Sequence, residues 1–190
     1  MHEPSRGAAR RERFFDRCAS PTEAAAARAL LPVLLHQDGS TTRLLEAITG
    51  GPIQVQVLHQ HEVDALPAAL HGVLPGTRFL RRLTALCAHG EVLLDSLAYI
   101  ALDGLPPDIA AELHAGQRPI GHLLAKLWTR RRFGAHDAAL LEELWRTVGR
   151  PDAQASRSCV IDTPVGACMV LAETFRAGIA SPRRPADTLA

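Results

Sequence analysis

The residues best suited to chemistry in this chain are two adjacent arginines, Arg81 and Arg82, and one acid, Glu173. The arginines sit inside an apolar stretch, residues 77–87 (TRFLRRLTALC), which reads as a strand. A guanidinium in such a run needs a partner, because it keeps its proton and is costly to desolvate alone. Strand periodicity puts the two on opposite sides, Arg82 with Leu80, Thr84 and Leu86, and Arg81 with Phe79, Leu83 and Ala85. In a central strand one should face water and the other an anion; the pattern leaves open which. Glu173 belongs to a second strand-like run, residues 167–175, on the side of Ala167, Met169, Leu171 and Phe175. A carboxylate on such a face is either paired with an arginine or raised in pKa and partly protonated. The first state is structural; the second would make it an acid/base group. An arginine and a carboxyl in one apolar pocket suit a small anion that also bears a hydroxyl. The guanidinium takes a carboxylate at two points and the glutamate takes the hydroxyl.

Other clusters carry less. His59 and His61 share one side of a strand, but no HExxH or Cys/His spacing supplies a third ligand, so no metal is expected. Gly50-Gly51-Pro52 lacks the lysine of a phosphate loop, and no nucleophile elbow is present. Arg130-Arg131-Arg132 reads as a solvated cluster that could also sit at a pocket mouth and draw in an anion.

The elements that must position these groups follow from caps, breaks and periodicity. Ser20-Pro21-Thr22-Glu23 starts a helix expected to end near Pro32. Ser40 or Thr41 caps a second helix that stops at Gly50-Gly51. Strands are expected over 53–61, 77–87 and 92–102, the last two joined by a tight turn, and over 157–162 and 167–175. Helices follow Pro106-Pro107 and Pro119-Ile120-Gly121, and residues 130–150 fit either a helix or a long strand. The fold class is therefore α+β, an antiparallel sheet with helices packed around it.

At 190 residues, with 47% hydrophobic and 22% charged residues, the chain suits one soluble domain. Its net charge of +1 argues for neither nucleic acid nor membrane. The four cysteines show no paired spacing, so reduced thiols in a cytoplasmic protein are expected. Residues 1–19 read as a basic, flexible arm, 20–182 as the domain, and 183–190 as a loose tail.

The order of several short motifs resembles the chorismate pyruvate-lyases, which make 4-hydroxybenzoate, and the related ligand-binding domains of some transcription regulators. They are Asp38-Gly39-Ser40-Thr41-Thr42, then Leu80 to Cys87 with the turn to Glu91, then Arg118-Pro119-Ile120-Gly121, then Leu171-Ala172-Glu173-Thr174-Phe175 close to Ser181-Pro182. The resemblance implies a pocket under helical flaps. It implies that Arg82 binds a carboxylate, that Glu173 is the essential acid, and that Ser40 and Ile120 meet the ligand. Better-known members carry methionine in place of Ser40. The implied reaction expels pyruvate from chorismate with no metal or redox cofactor, Arg82 holding the ring carboxylate and Glu173 orienting the hydroxyl. The competing expectation is a non-catalytic domain that binds a hydroxybenzoate-like molecule, or a repurposed enzyme of the same fold. About thirty residues precede the shared region, too few for a winged helix, which favours the enzyme.

Overall fold

The computed structural model describes residues 11–133 and 138–180. The expectations for residues 1–10, 181–182 and the tail at 183–190 fall outside the described residues. In chain order the elements are α1 (Pro21–His36), α2 (Thr41–Thr49), β1 (Gln54–Val63), β2 (Phe79–Ala88), β3 (Glu91–Ala101), α3 (Pro107–Ala115) and α4 (Ile120–Leu124). They continue with β4 (Arg130–Phe133), α5 (Ala138–Val148), β5 (Ser156–Thr163), β6 (Gly166–Phe175) and α6 (Ala177–Ala180). The six strands form one antiparallel sheet in the order β1-β2-β3-β6-β5-β4. The expected α+β class is the one observed.

Every residue of β3 is buried, so this strand runs through the centre with both faces covered. One face carries Leu80, Ala98, Ile100, Met169 and Leu171 beneath α3 and α4. The other carries Phe79, Leu83, Leu97, Tyr99 and Val170 beneath α5. A third cluster gathers Leu31 and Leu34 of α1, Leu45 of α2, Phe175 and Ile179. Register fixes the site. Arg82 pairs with Ala98 and Ala98 with Leu171, while Thr84 pairs with Ser96 and Ser96 with Glu173. Arg82 and Glu173 therefore belong to the same face, two strands apart and offset by two residues.

Four features differ from the sequence reading. Residues 130–150 hold both alternatives in turn, the short edge strand β4 and then helix α5. Helix α1 runs through Pro32 to His36, since the proline removes one helical hydrogen bond while Leu31 and Leu34 are buried on either side of it. Arg81 does not face water: it donates to Glu143 of α5 from Nε at 2.8 Å and Nη2 at 2.7 Å, and Tyr99 donates to the same carboxylate. The arm at 11–19 is packed rather than loose. Phe14 is fully buried, its amide donates to Asp152 Oδ2 at 2.8 Å, and Arg11 Nε donates to the buried Asp95 at 3.0 Å. Burying one phenyl ring stabilises the fold by about 1.5–3 kcal/mol, enough to hold a short arm against its own entropy.

The chain turns from β6 into α6 so tightly that only glycine fits at 178. A Cβ there would stand 2.8 Å from Val92 O and 3.0 Å from Leu93 Cδ2. Gly178→Ala should lower the stability to unfolding by about 1–3 kcal/mol through overpacking. In urea the midpoint should fall with the slope unchanged; an unaltered midpoint would mean that α6 is not docked on β3 as described.

Candidate functional site

Arg157 and Glu173 stand directly opposite each other on β5 and β6. Both are buried, and Arg157 Nε donates to Glu173 Oε2 at 2.7 Å. The remaining donors of Arg157 hold two helices. Nη1 reaches Leu34 O at 2.7 Å and Gln37 O at 3.0 Å, carbonyls at the C-terminal end of α1, where orphan acceptors and the helix dipole both favour a cation. Nη2 donates to Thr41 Oγ1 at 2.9 Å, and that hydroxyl in turn donates to Glu173 Oε1 at 3.1 Å. The guanidinium carbon also lies 5.4 Å from the ring centres of both Phe133 and Phe175.

Arg131, on β4, is the second cation beside Glu173, with Nη1 at 3.6 Å from Oε2 and 3.5 Å from Cys159 Sγ. Burial acts most strongly on the Glu173 carboxyl and pushes its pKa up. The charges of Arg157 and Arg131, with the hydrogen bonds from Arg157 and Thr41, together outweigh it and leave the group below the usual glutamate value. Glu173 is thus an ionised acceptor, the opposite of an acid tuned toward neutrality.

Two neighbouring spaces adjoin this network. An inner pocket of about 30 Å³ is lined by Glu173, Thr41, Thr84, Ser96, Ile120 and Arg131, among others. An outer cleft of about 300 Å³ is lined by Ser40, Arg43, Leu124, Trp128, Arg131 and Ile161, among others. Gly121 and Arg131 line both. The lid between them is the contact of α2 with α4. Ser40 caps α2 by accepting from the Arg43 amide at 3.4 Å, and His122 of α4 meets Glu46 of α2 at 3.1 Å. The approach is so close that a Cβ on Gly121 would lie 2.5 Å from Thr42 Oγ1 and 2.8 Å from Ser40 Oγ.

Of the residues expected from sequence, Ser40 lines the outer cleft, and Ile120 and Glu173 line the inner pocket. Arg82 lines neither. Its guanidinium is fully buried and donates to the carbonyls of Leu113 at 3.3 Å, Gly116 at 3.4 Å and Arg118 at 3.0 Å. Among the described residues no carboxylate pairs with it, its Nε has no partner, and burial lowers its pKa to about 10. Arg82 therefore ties down the loop that leads from α3 into α4. Sequence reading missed Arg157, although strand alternation groups it with Cys159 and Ile161 on the inward face, and it did not separate Arg131 from its arginine cluster. Among the described residues no three His, Cys, Asp or Glu side chains gather as a metal site, and no helix is long and apolar enough to cross a membrane.

The lowered pKa of Glu173 has a definite sign in stability. Its contribution is complete above the ordinary value of 4.5 and is lost as pH falls through the lower folded value. Glu173→Gln should cost about 3–5 kcal/mol at neutral pH, because it leaves Arg157 buried without its counter-charge. The variant should also lose stability less steeply than the parent on acidification below pH 4.5. Urea titrations across that range check this, and parallel curves for the two proteins would remove the ion pair from the account.

No family model matches this chain, and no curated protein sequence does. Among solved structures, the effector domain of PhnF from Mycobacterium smegmatis matches with a TM-score of 0.50 at 16% identity, over 73% of this chain and 88% of that one. PhnF from the same organism matches with a TM-score of 0.52 at 16% identity, over 77% of this chain and 67% of that one. The ligand-binding domain of a putative GntR-family transcriptional regulator from Bordetella bronchiseptica matches with a TM-score of 0.41 at 15% identity, over 66% and 84% of the two chains. These findings correct the expectation of a chorismate lyase. The fold is shared with an effector domain, Glu173 is held ionised between two arginines, and Arg82 is turned to backbone carbonyls. The chain has the fold of the PhnF effector domain.

Proposed function

We propose that this domain is a non-catalytic receptor for a small organic anion that also carries a hydroxyl group, a hydroxybenzoate-like acid. The observation that carries the reading is a charge imbalance on one covered face of the sheet. Three guanidiniums, of Arg82, Arg131 and Arg157, lie on that face with one buried carboxylate, that of Glu173, which Arg131 and Arg157 flank and Arg82 does not touch. In a poorly solvated region such an excess favours a negative ligand. Arg157 is saturated by Glu173, Thr41 and the end of α1. Arg82 is engaged by three carbonyls and acts on the ligand through the positive field and through the placement of α4. Arg131 has only long contacts and faces both spaces, so it is assigned the ligand's anionic group. Glu173 accepts the ligand's hydroxyl, Ile120 supplies apolar contact in the inner pocket, and Ser40 borders the outer cleft at the N-terminus of α2. Nucleic acid and membrane have no part in this reading.

Calorimetric titration tests it. The purified protein should bind 4-hydroxybenzoate, and should bind the neutral 4-hydroxybenzamide at least tenfold more weakly. Arg131→Gln should weaken the acid by roughly 10- to 100-fold, the worth of one hydrogen bond to a charged group, with little change in thermal midpoint. Chorismate incubated with the protein should release no pyruvate. Equal affinity for acid and amide, or full retention of binding in Arg131→Gln, would overturn the assignment.

A further inference from the structure

We propose that the ligand's ring lies outside the buried pocket, flat against Trp128 in the outer cleft, which makes Trp128 the residue that selects an aromatic over an aliphatic acid; this rests on the anion-receptor reading above. Volume makes the first part of the argument. The inner pocket, at about 30 Å³, holds a water molecule or one hydroxyl group, whereas an aromatic ring needs on the order of 100 Å³ or more. With α2 and α4 in contact as they are, only a polar substituent enters to meet Glu173. The outer cleft, at about 300 Å³, has room for the ring, and the two spaces share Arg131 as a common wall.

The lining of the outer cleft makes the second part. Its apolar side is formed by Leu124, Ala125, Leu127, Ile161 and Trp128, and its charged side by Arg43 and Arg131 with Asp38 at the rim. Leu124 and Ile161 belong to the sheet's own core, but Trp128 is 67% exposed and is packed into none of the core clusters. The chain has only two tryptophans, and the other, Trp145, is on the opposite face, where its indole N–H donates to Thr174. The exposed indole on the short connection between α4 and β4 lies three residues before Arg131 of β4, so one stretch of chain presents both a plate and a cation. That connection is held by backbone bonds from Lys126 to Leu123 at 3.1 Å and from Leu127 to Leu124 at 2.9 Å, so the indole starts from an ordered backbone. A flat ring with a carboxylate satisfies both groups at once: it stacks on the indole while its charge meets the guanidinium. An aliphatic acid would satisfy only the second.

The experiment pairs calorimetry with tryptophan fluorescence on the intact chain, using 4-hydroxybenzoate and cyclohexanecarboxylate as probes. Trp128→Ala should weaken 4-hydroxybenzoate about fivefold or more, Trp128→Phe should restore most of the loss, and cyclohexanecarboxylate should bind weakly and alike to all three proteins. Binding of 4-hydroxybenzoate should quench the emission of the parent protein, and the quench should vanish in Trp128→Ala. Because the side chain is exposed, circular dichroism melts should match the parent. If 4-hydroxybenzoate binds Trp128→Ala as tightly as the parent while Arg131→Gln still weakens it, the ring lies elsewhere and this inference falls alone. If no acid binds the parent protein, the receptor reading falls and takes the inference with it.

Discussion

The ion pair of Arg157 with Glu173 is the constraint on which the helical layer depends. Two charges taken out of water cost several kcal/mol each, and attraction offsets that only where the remaining donors and acceptors are also satisfied. Here they are. The guanidinium reaches a carboxylate, a hydroxyl and the terminal carbonyls of α1, and two aromatic rings lie close to it. The sheet would survive a pair of apolar residues at these positions. The placement of α1 and α2 over it would not, since the same side chain fixes the end of one helix and the first residue of the next.

Other arginines in the fold meet the same problem in different ways. On the far face Asp95 receives Arg11 and Arg176, and Glu143 receives Arg81 and Tyr99, so each of these guanidiniums touches an acid, Arg11 and Arg176 sharing theirs. Arg82 has only carbonyl oxygens. Partial negative charges compensate a full positive one incompletely, which is why burial draws its pKa down to about 10. The cost is retained in the structure, and its consequence is directional: one face of the sheet is left positive in the region where the cavities lie.

Much of this was legible in the sequence. Alternation alone put Arg82 on one side of its strand and Glu173 with Leu171 and Phe175, and both assignments hold because β2, β3 and β6 are regular over these residues. The helix starts at Ser20 and Ser40 follow from capping chemistry that acts over three or four residues. What could not be read is which partner each charge would find. Arg157 meets Leu34 across 123 positions, and no local pattern encodes such a meeting. The arm misled for a related reason: five arginines in the first seventeen residues suggest solvation, while one phenylalanine among them, Phe14, decides the outcome by burial. The expectation of a lyase came from the family resemblance, while the residues themselves left the role of Glu173 open. An acid on an apolar face has two fates, and only the positions of Arg131 and Arg157 tell a tuned proton donor from a fixed anion.

The two arginines beside Glu173 are unequal, and the inequality is what lets a structural network also serve as a receptor. Arg157 lies at 2.7 Å with all three of its nitrogens hydrogen-bonded, so displacing it would break the end of α1. Arg131 lies at 3.6 Å, beyond hydrogen-bond range, where attraction to the carboxylate persists but no geometry is enforced. An arriving anion therefore takes donors from Arg131 while undoing at most its long bond to Cys159 Sγ, and Glu173 keeps Arg157 as its counter-charge throughout. A carboxylate that already accepts from Arg157 and Thr41 still has lone pairs to offer a hydroxyl. The fixed cation sets the acid in place, and the loosely held one leaves it something to share.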